Sequence, residues 1–367
     1  MKRTSGRIVK RTTVLGLAAV LALAATPGVA QQITARPRLI TAETEKAIQR
    51  GQAYLARTQS RDGSWREGGN YGRYPVTMTA LGALGLMAGG NTPVEGKYAS
   101  NVRRAVDYLI ASQQEDGFIN RAGQAGRGMY GHGFAMLFLA EAYGMEQDPT
   151  RQARLKRVLE KGVKLIAKAQ SGAGGWYYSP NSGSDEGSVT ITQVQGLRAA
   201  RNAGINVPKD VIDKGIEYIN KSANNDGGIA YRATSRGSSR PPITAAAVAV
   251  LYNAGEEDSP VAIRAMDYLD KLLKGSRNRL FGGHKFYSML YLAQAKYLMV
   301  DVKRDNDKPV QTEKDWESFF ASVRDDLLNT QQEDGGWQGD SVGTTYGTGI
   351  ALVTLQLPYR YLPIMQR

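Results

Sequence analysis

Residues 327–337, LLNTQQEDGGW, decide the fold of this 367-residue chain. The segment begins as a helix with an apolar pair, reaches a glutamine and ends in a glycine-rich turn followed by a tryptophan. Asp334, Gly335 and Gly336 end a helix, because glycine readily adopts the positive φ of a helix C-terminus. Trp337 can then cover the turn and pack between neighbouring helices. The segment therefore predicts a helix, a tight turn and a buried aromatic ring.

The same pattern occurs five more times in the chain, at intervals that hardly vary. The other copies are YLARTQSRDGSW (54–65), YLIASQQEDGF (108–118), LIAKAQSGAGGW (165–176), YINKSANNDGGI (218–229) and the degraded YLDKLLKGSRNRLFGGH (268–284). Their turn glycines, Gly63, Gly117, Gly174, Gly227, Gly282 and Gly335, are 54, 57, 53, 55 and 53 residues apart. A fixed period of this length indicates a helical repeat protein.

Each period contains two helical patterns of different character. The helix before the turn is amphipathic, whereas the one after it, such as MTALGALGLM (78–87), is apolar on nearly all sides and must be buried on both. Six hairpins of one outer and one inner helix predict an all-α fold, an (α/α)6 toroid over residues 41–357. An open α-solenoid is the alternative, but neither terminal unit looks like a polar cap. Residues 31–40 are expected to form an N-terminal extension and 358–367 an extended C-terminal tail.

Residues 1–30 carry the features of a secretory signal peptide. A basic stretch precedes the apolar run 14–25, and small residues stand before Gln31, so cleavage after Ala30 is expected. An uncleaved N-terminal anchor is the alternative. We therefore expect export to the periplasm or the cell exterior, with no membrane span left after cleavage.

The composition excludes several kinds of site. The chain has no cysteine and two histidines, which rules out disulfides, thiolate nucleophiles and cysteine-ligated zinc. We expect no metal and no cofactor. The formal net charge is +13, and cleavage would remove five basic residues and leave +8, an excess that is spread along the chain, so no nucleic-acid partner is expected. We also expect a monomer.

The repeated turns resemble the QW repeats of squalene–hopene cyclases and of protein prenyltransferase β-subunits. The resemblance rests on Gln59, Asp62 and Trp65 in the first unit and on 331–337 in the last. It is closest to the exported prenyltransferase and squalene oxidase repeat proteins of planctomycete-type bacteria. It implies a toroid with a central cavity, whose functional residues lie at one mouth, where each turn leads into an inner helix. The DxDD acid of the cyclases, the DDxxD magnesium motif and the cysteine of the prenyltransferase zinc site are absent from this sequence.

The mouth location implied by the resemblance selects polar and aromatic residues. The candidate ligand-binding residues are Tyr74, Arg127, Tyr130, His132, Asp185, Arg240, His284, Tyr287 and Tyr346, and the catalytic candidates among them are His132, Tyr130 and Asp185. His132 is interpreted either as a general base or as a brace of its turn. His284 is either a site residue or a replacement for the buried aromatic, and Asp185 either an acid or a helix cap.

Three functions remain open from the sequence. A ligand-binding or scaffold protein is favoured, because tyrosine and arginine suit hydroxylated or anionic ligands such as glycans. A polysaccharide lyase or hydrolase, with His132, a tyrosine and an arginine as base, acid and anion clamp, is the first alternative. An isoprenoid-active enzyme with displaced acids is the second.

Overall fold

Twelve α-helices and no β-strand are present in the residues that the computed structural model describes, which are 36–67, 74–121, 126–275, 283–300 and 302–366. The amphipathic helices are α1 (Ala42–Thr58), α3 (Ala99–Ala111), α5 (Pro149–Ala169), α7 (Lys209–Lys221), α9 (Pro260–Gly275) and α11 (Glu313–Thr330). The apolar helices are α2 (Pro75–Met87), α4 (Gly128–Met145), α6 (Gly187–Asn202), α8 (Pro241–Ala254), α10 (Lys285–Leu298) and α12 (Thr344–Leu355). The predicted all-α architecture of six hairpins is confirmed.

The six apolar helices form a closed inner ring. They pack side by side in chain order from α2 to α12, and α12 packs against α2. Gly85 and Gly349 make this last contact close, because a Cβ on Gly85 would lie 3.1 Å from the Gly349 Cα. The first outer helix, α1, packs against α11 and α12 as well as α2. The chain is therefore a toroid and not an open solenoid.

The tryptophans of the repeat turns hold the two layers together. Trp65, Trp176 and Trp337 are fully buried. Each indole N–H donates to the carbonyl oxygen of the residue ten positions earlier, at 2.9 Å for Leu55, 2.8 Å for Ile166 and 2.7 Å for Leu327. A buried indole needs such an acceptor, so the turn tryptophans fix the ends of their own outer helices.

The glutamines of the repeat turns tie each unit to the next. Gln331 Nε2 donates to the carbonyl oxygens of Gly335 in its own turn and of Ala47 in α1, both at 2.9 Å. Gln59, Gln113 and Gln170 bond in the same way to their own turns and to the following outer helices. Gly335 has a φ of +92°, and a Cβ there would lie 2.7 Å from the Arg50 carbonyl oxygen. The seam between the last and first units is thus built like the others.

The C-terminal tail is folded and partly buried, contrary to the expected extended conformation. It forms 3-10 turns at Leu357–Tyr359 and Pro363–Met365, and Ile364 and Met365 are buried. The Ile364 N–H donates to the Glu141 side chain near the end of α4, at 3.2 Å. The Arg360 guanidinium lies 5.7 Å from the ring centre of Tyr297, near the end of α10. The apolar tail therefore covers the end of the ring at which the inner helices finish.

Some predictions fall on residues outside the described ranges. These are the signal peptide with its cleavage site, residues 31–35 of the N-terminal extension and the turn glycine Gly282. Within the described ranges, none of the helices combines the length and the apolar character that crossing a bilayer requires.

Candidate functional site

A hydroxyl group near the start of the inner helix braces the turn in four units. The backbone N–H of the turn aromatic, or of the isoleucine in its place, donates to a threonine Oγ1. The pairs are Trp65–Thr79, Trp176–Thr190, Ile229–Thr244 and Trp337–Thr348, at 2.9–3.0 Å. In the second unit the acceptor is His132 Nδ1, 3.0 Å from the Ile119 nitrogen. His132 therefore stands where the other units have threonine.

The surroundings of His132 are those of a structural residue. Its side chain is fully buried, and its ring lies 5.6 Å from that of Phe118 in the turn. Burial lowers the pKa of His132 to about 4, so the imidazole is neutral at physiological pH. Its Cε1 atom faces Gly162 on α5, the outer helix. This geometry corresponds to the bracing role, one of the two interpretations offered by the sequence.

Asp185 and Glu186 are neighbours in sequence, but their side chains have different hydrogen-bond partners. Asp185 is buried beside Gly175, and its carboxylate accepts a 3.1 Å hydrogen bond from Ser171 Oγ at the end of α5. Glu186 caps α6 and accepts hydrogen bonds from the backbone N–H groups of Ser188 (2.8 Å) and Val189 (2.6 Å). Burial raises the pKa of Glu186, and the hydrogen bonds from Ser188 oppose that rise. Glu186 is thus the carboxylate near Tyr130, whereas Asp185 is near Tyr218.

A hydrogen-bonded chain links Glu186 to Tyr130. The Ser188 hydroxyl donates to the Glu186 carboxylate, 2.9 Å from Oε1 and 2.8 Å from Oε2, and is itself hydrogen-bonded to the Tyr130 hydroxyl. Burial raises the pKa of Tyr130 well above its usual value, and the negative charge of Glu186 adds to the effect. The phenol therefore stays protonated at neutral pH and can act as a hydrogen-bond donor.

More tyrosines extend this polar wall along the turns before α6 and α8. The Tyr178 and Tyr231 hydroxyls are 2.5 Å apart, and the Tyr130 and Tyr178 rings have centroids 5.9 Å apart. The Tyr177 ring lies 4.4 Å from that of Tyr178. We refer to Tyr130, Tyr177, Tyr178 and Tyr231 together as the tyrosine wall.

Tyr287, on α10, faces the tyrosine wall from another part of the ring. Burial raises its pKa well above the usual value, and the nearby Tyr291, Tyr130, Glu186 and Tyr346 raise it further. The Tyr287 and Tyr291 rings are in edge contact, with centroids 4.9 Å apart. Groups from α4, α6, α10 and α12 therefore lie within electrostatic range of one another inside the ring.

A polar bridge crosses the ring interior behind these tyrosines. Gln195 on α6 is 3.3 Å from Gln294 on α10, and its Oε1 accepts a 3.1 Å hydrogen bond from the Tyr291 hydroxyl. The two helices are not neighbours in the ring, since α8 lies between them. The hydrogen bonds among Gln195, Gln294 and Tyr291 therefore join α6 to α10 past α8.

Two arginine guanidinium groups lie over rings of the tyrosine wall. The Arg127 guanidinium lies 4.9 Å from the ring centre of Tyr178. The Arg232 guanidinium lies 5.3 Å from the ring centre of Tyr177 and 5.8 Å from that of Tyr231. Each position permits a cation–π interaction and leaves N–H groups for a ligand. Arg127 is exposed and Arg232 is half-buried.

Carboxylates of the protein already occupy three inner-helix N-termini. Glu186 caps α6, Asp340 accepts from the Phe286 N–H of α10 (3.2 Å), and Glu67 accepts from the first turn of α12, including the Thr344 N–H (3.2 Å). The helices α2, α4 and α8 start at Tyr74, Arg127 and Arg240, with no side-chain cap. Because α4 and α8 lack a carboxylate cap and start at an arginine, positive potential is concentrated at their N-termini.

Four of the predicted site residues lie in the group around Glu186. Arg127, Tyr130, Tyr287 and Tyr346 belong to the group around Glu186, whereas Arg240 is exposed and Tyr74 is half-buried at the start of α2. His284 is exposed and starts α10, so its interpretation as a replacement for a buried aromatic is wrong. In the described part of the chain, no three His, Asp or Glu side chains are close enough to share a metal ion.

The mouth segments indicated by the sequence also contain Glu186, Tyr178, Tyr231 and Arg232, which were not selected as ligand-binding candidates. A signal for two of them was present in the repeat itself. Tyr178 follows Trp176 by two positions, and Tyr231 follows Ile229 by two. Aligning the units on their turn aromatics would have placed both hydroxyls at equivalent points of the mouth.

Comparisons with known proteins show the fold and no more. No protein-family model matches the sequence. Among solved structures, a protein from Actinoplanes superimposes with a TM-score of 0.56 and 14% identity, covering 87% of this chain and 99% of the other. The type II terpene cyclase MstE from Scytonema gives a TM-score of 0.53 at 14% identity, covering 88% and 98%. A variant of that enzyme in complex with geranylgeranyl dihydroxybenzoate matches equally well. The chain thus has a terpenoid cyclase-like α/α toroid fold.

Proposed function

We propose that this chain is an exported binding protein of the prenyltransferase and squalene oxidase repeat type, whose lumen holds a small hydroxylated and anionic ligand such as an acidic sugar. The observation that carries the proposal is the convergence of the tyrosine wall with Arg127 and Arg232. Tyrosine rings offer flat apolar faces to a sugar ring, and their hydroxyls exchange hydrogen bonds with its hydroxyls. The arginine forks supply bidentate donors for a carboxylate.

Isoprenoid chemistry receives less support from this lumen. The MstE complex shows a prenylated aromatic in a ring of the same fold, and a chain of that kind needs an apolar lining. Here the described lumen wall carries phenol hydroxyls, a serine and a carboxylate. The sequence also lacks the DxDD acid that protonates an alkene in the cyclases.

The Tyr130–Ser188–Glu186 chain favours one second candidate, an acid–base enzyme acting on an acidic polysaccharide. A proton taken up by the Tyr130 oxygen would be passed from Tyr130 to Ser188 and from Ser188 to Glu186, so that Glu186 ends protonated. This assignment replaces His132 by Tyr130 as the proton-transfer residue. New reducing ends or unsaturated products from a uronate polymer, lost in Tyr130→Phe, would support it over simple binding.

The binding proposal is tested by calorimetric titration of the purified protein with uronic acids and with the corresponding neutral sugars. We expect saturable binding of the acidic sugars, weakened at least about tenfold by R127A/R232A, since each lost charge-assisted contact contributes about 1.5–3 kcal/mol. The matched control R103A/R264A removes two exposed arginines from outer helices and should leave the affinity unchanged. Equal weakening by both double variants, or equal affinity for neutral and acidic sugars, would overturn the proposal.

A further inference from the structure

The longest of the described helices, α5, is also the most unevenly charged. Residues 149–169 contain seven basic side chains and one acidic one, Glu160. Arg151 is half-buried and paired with Asp107 and Glu146. The remaining basic residues are exposed to solvent.

Five of these cations form a straight line on the helix surface. Arg154, Arg157, Lys161, Lys164 and Lys168 follow one another at spacings of three, four, three and four residues, all exposed. Residues at such spacings lie on the same face of an α-helix. Fourteen residues rise about 21 Å, so the row presents one positive charge every 5 Å or so. We call this row the basic stripe.

Within the described part of the chain, the basic stripe has one acidic neighbour on its own helix, Glu160. The ion pairs of α5 involve Arg151 and none of the five stripe side chains. Like charges at these spacings repel one another and oppose helix formation, so the stripe is unfavourable for the isolated protein. A bound polyanion would remove that repulsion.

The next outer helix shows what a compensated face looks like. On α7 each lysine is paired at i,i+4: Lys209 with Asp213 (2.7 Å), Lys214 with Asp210 (3.1 Å) and Lys221 with Glu217 (2.6 Å). On α7 three lysines face three acids, whereas α5 has six exposed basic residues and a single acid, Glu160. The basic stripe is therefore a property of one face and not of the whole outer wall.

We propose that the basic stripe binds an extended acidic polysaccharide that carries one carboxylate per sugar. The stripe is narrow and straight, which suits a linear chain lying along α5. A flat anionic bilayer would also meet α7, whose lysines are neutralised by their own carboxylates and offer it no net attraction. Duplex DNA carries one negative charge per about 1.7 Å of helix axis, a linear charge density about three times that of the stripe. This surface is separate from the lumen, and the proposal does not depend on the one made for the lumen.

The experiment measures binding of the full-length protein to polygalacturonate, with neutral dextran, single-stranded DNA and phosphatidylglycerol vesicles as comparison probes. We expect polygalacturonate to bind most tightly and dextran not to bind. The variant R157Q/K161Q/K164Q should weaken the affinity at least about tenfold at low salt. It should also reduce the slope of log affinity against log salt concentration by about 2, because each neutralised charge contributes about 0.7 to that slope.

The matched control is K209Q/K214Q/K221Q, which removes the same number of positive charges from α7. It should change the affinity less than about twofold, because those lysines are already paired. Circular dichroism of both variants checks that the helices remain folded. Equal weakening by the two variants would show a net-charge effect and overturn the proposal. Tighter binding of DNA or vesicles than of polygalacturonate would overturn the assignment of the polymer, and no binding to polygalacturonate would overturn the site.

Discussion

Replacing Glu141 by glutamine should stabilise the toroid at alkaline pH. Glu141 is 5% exposed, accepts one hydrogen bond from the Ile364 N–H, and its Oε2 has no partner among the described residues. Burial raises the pKa of Glu141 from 4.5 to about 7. The side chain thus lacks the contacts that a buried carboxylate needs.

The direction of the effect on stability depends on whether the folded or the unfolded chain loses the Glu141 proton at the lower pH. Between pH 4.5 and 7 the unfolded chain ionises Glu141 while the folded chain keeps it protonated, so unfolding is favoured as pH rises. Each pH unit contributes about 1.4 kcal/mol, which gives a total penalty of about 3 kcal/mol above pH 7. Glutamine has the same shape, accepts the Ile364 bond and cannot ionise. Glu141→Gln should therefore add about 3 kcal/mol to the free energy of unfolding at pH 8 and almost nothing at pH 4.

The measurement is urea denaturation at several pH values between 4 and 8, for the wild type, Glu141→Gln and the control Glu115→Gln, whose side chain is exposed. The difference between wild type and Glu141→Gln should open between pH 4.5 and 7, and the control should follow the wild type. A constant difference across this range would show that Glu141 is ionised and compensated in the fold, and the reasoning would then be refuted.

Three further substitutions test the bracing role of His132, the burial of Trp337, and the contact that Gln331 makes between the last and first units. His132→Thr introduces the residue that other units have at this position. Because the buried histidine stays neutral down to about pH 4, the free energy of unfolding of the wild type should fall by about 3 kcal/mol between pH 6.5 and 4. For the variant, this fall should be smaller by about the same amount. Trp337→Ala should cost about 3–5 kcal/mol, seen as a lower melting temperature, whereas Tyr361→Ala at an exposed position should leave it nearly unchanged. Gln331→Ala leaves the Ala47 and Gly335 carbonyls without their donor and should cost about 1–3 kcal/mol in denaturant unfolding; an unchanged midpoint would show that water replaces the amide.

The fold was predictable because the information that specifies it is repeated. Each turn carries its own glycine, glutamine and aromatic, so an error in one unit, such as the degraded fifth, leaves the period intact. The conformation of the tail was not predictable in this way. Its residues 362–365 occur once, and their apolar character decides the conformation only when the end of the ring is there to cover.

The site was predictable in location and less so in detail. Asp185 and Glu186 look equivalent in sequence, but the backbone turns between them, so one carboxylate meets Ser171 and the other meets Ser188. His132 attracts interest by its chemistry, whereas its role is set by the threonines at the same place in other units. The approach of Tyr287 to Tyr130 depends on the closure of the ring, which no local pattern encodes.

The bond from Gln331 to Ala47 joins residues 284 positions apart in the chain. During synthesis on a ribosome, the first five hairpins can form before the sixth has emerged, but they can only make an open arc with unpaired helices at both ends. The tail, whose burial needs the completed ring, leaves the exit tunnel after all six hairpins. Closure must therefore follow the synthesis of the sixth hairpin, and until it occurs the exposed sides of α1 and α2 are available to other chains.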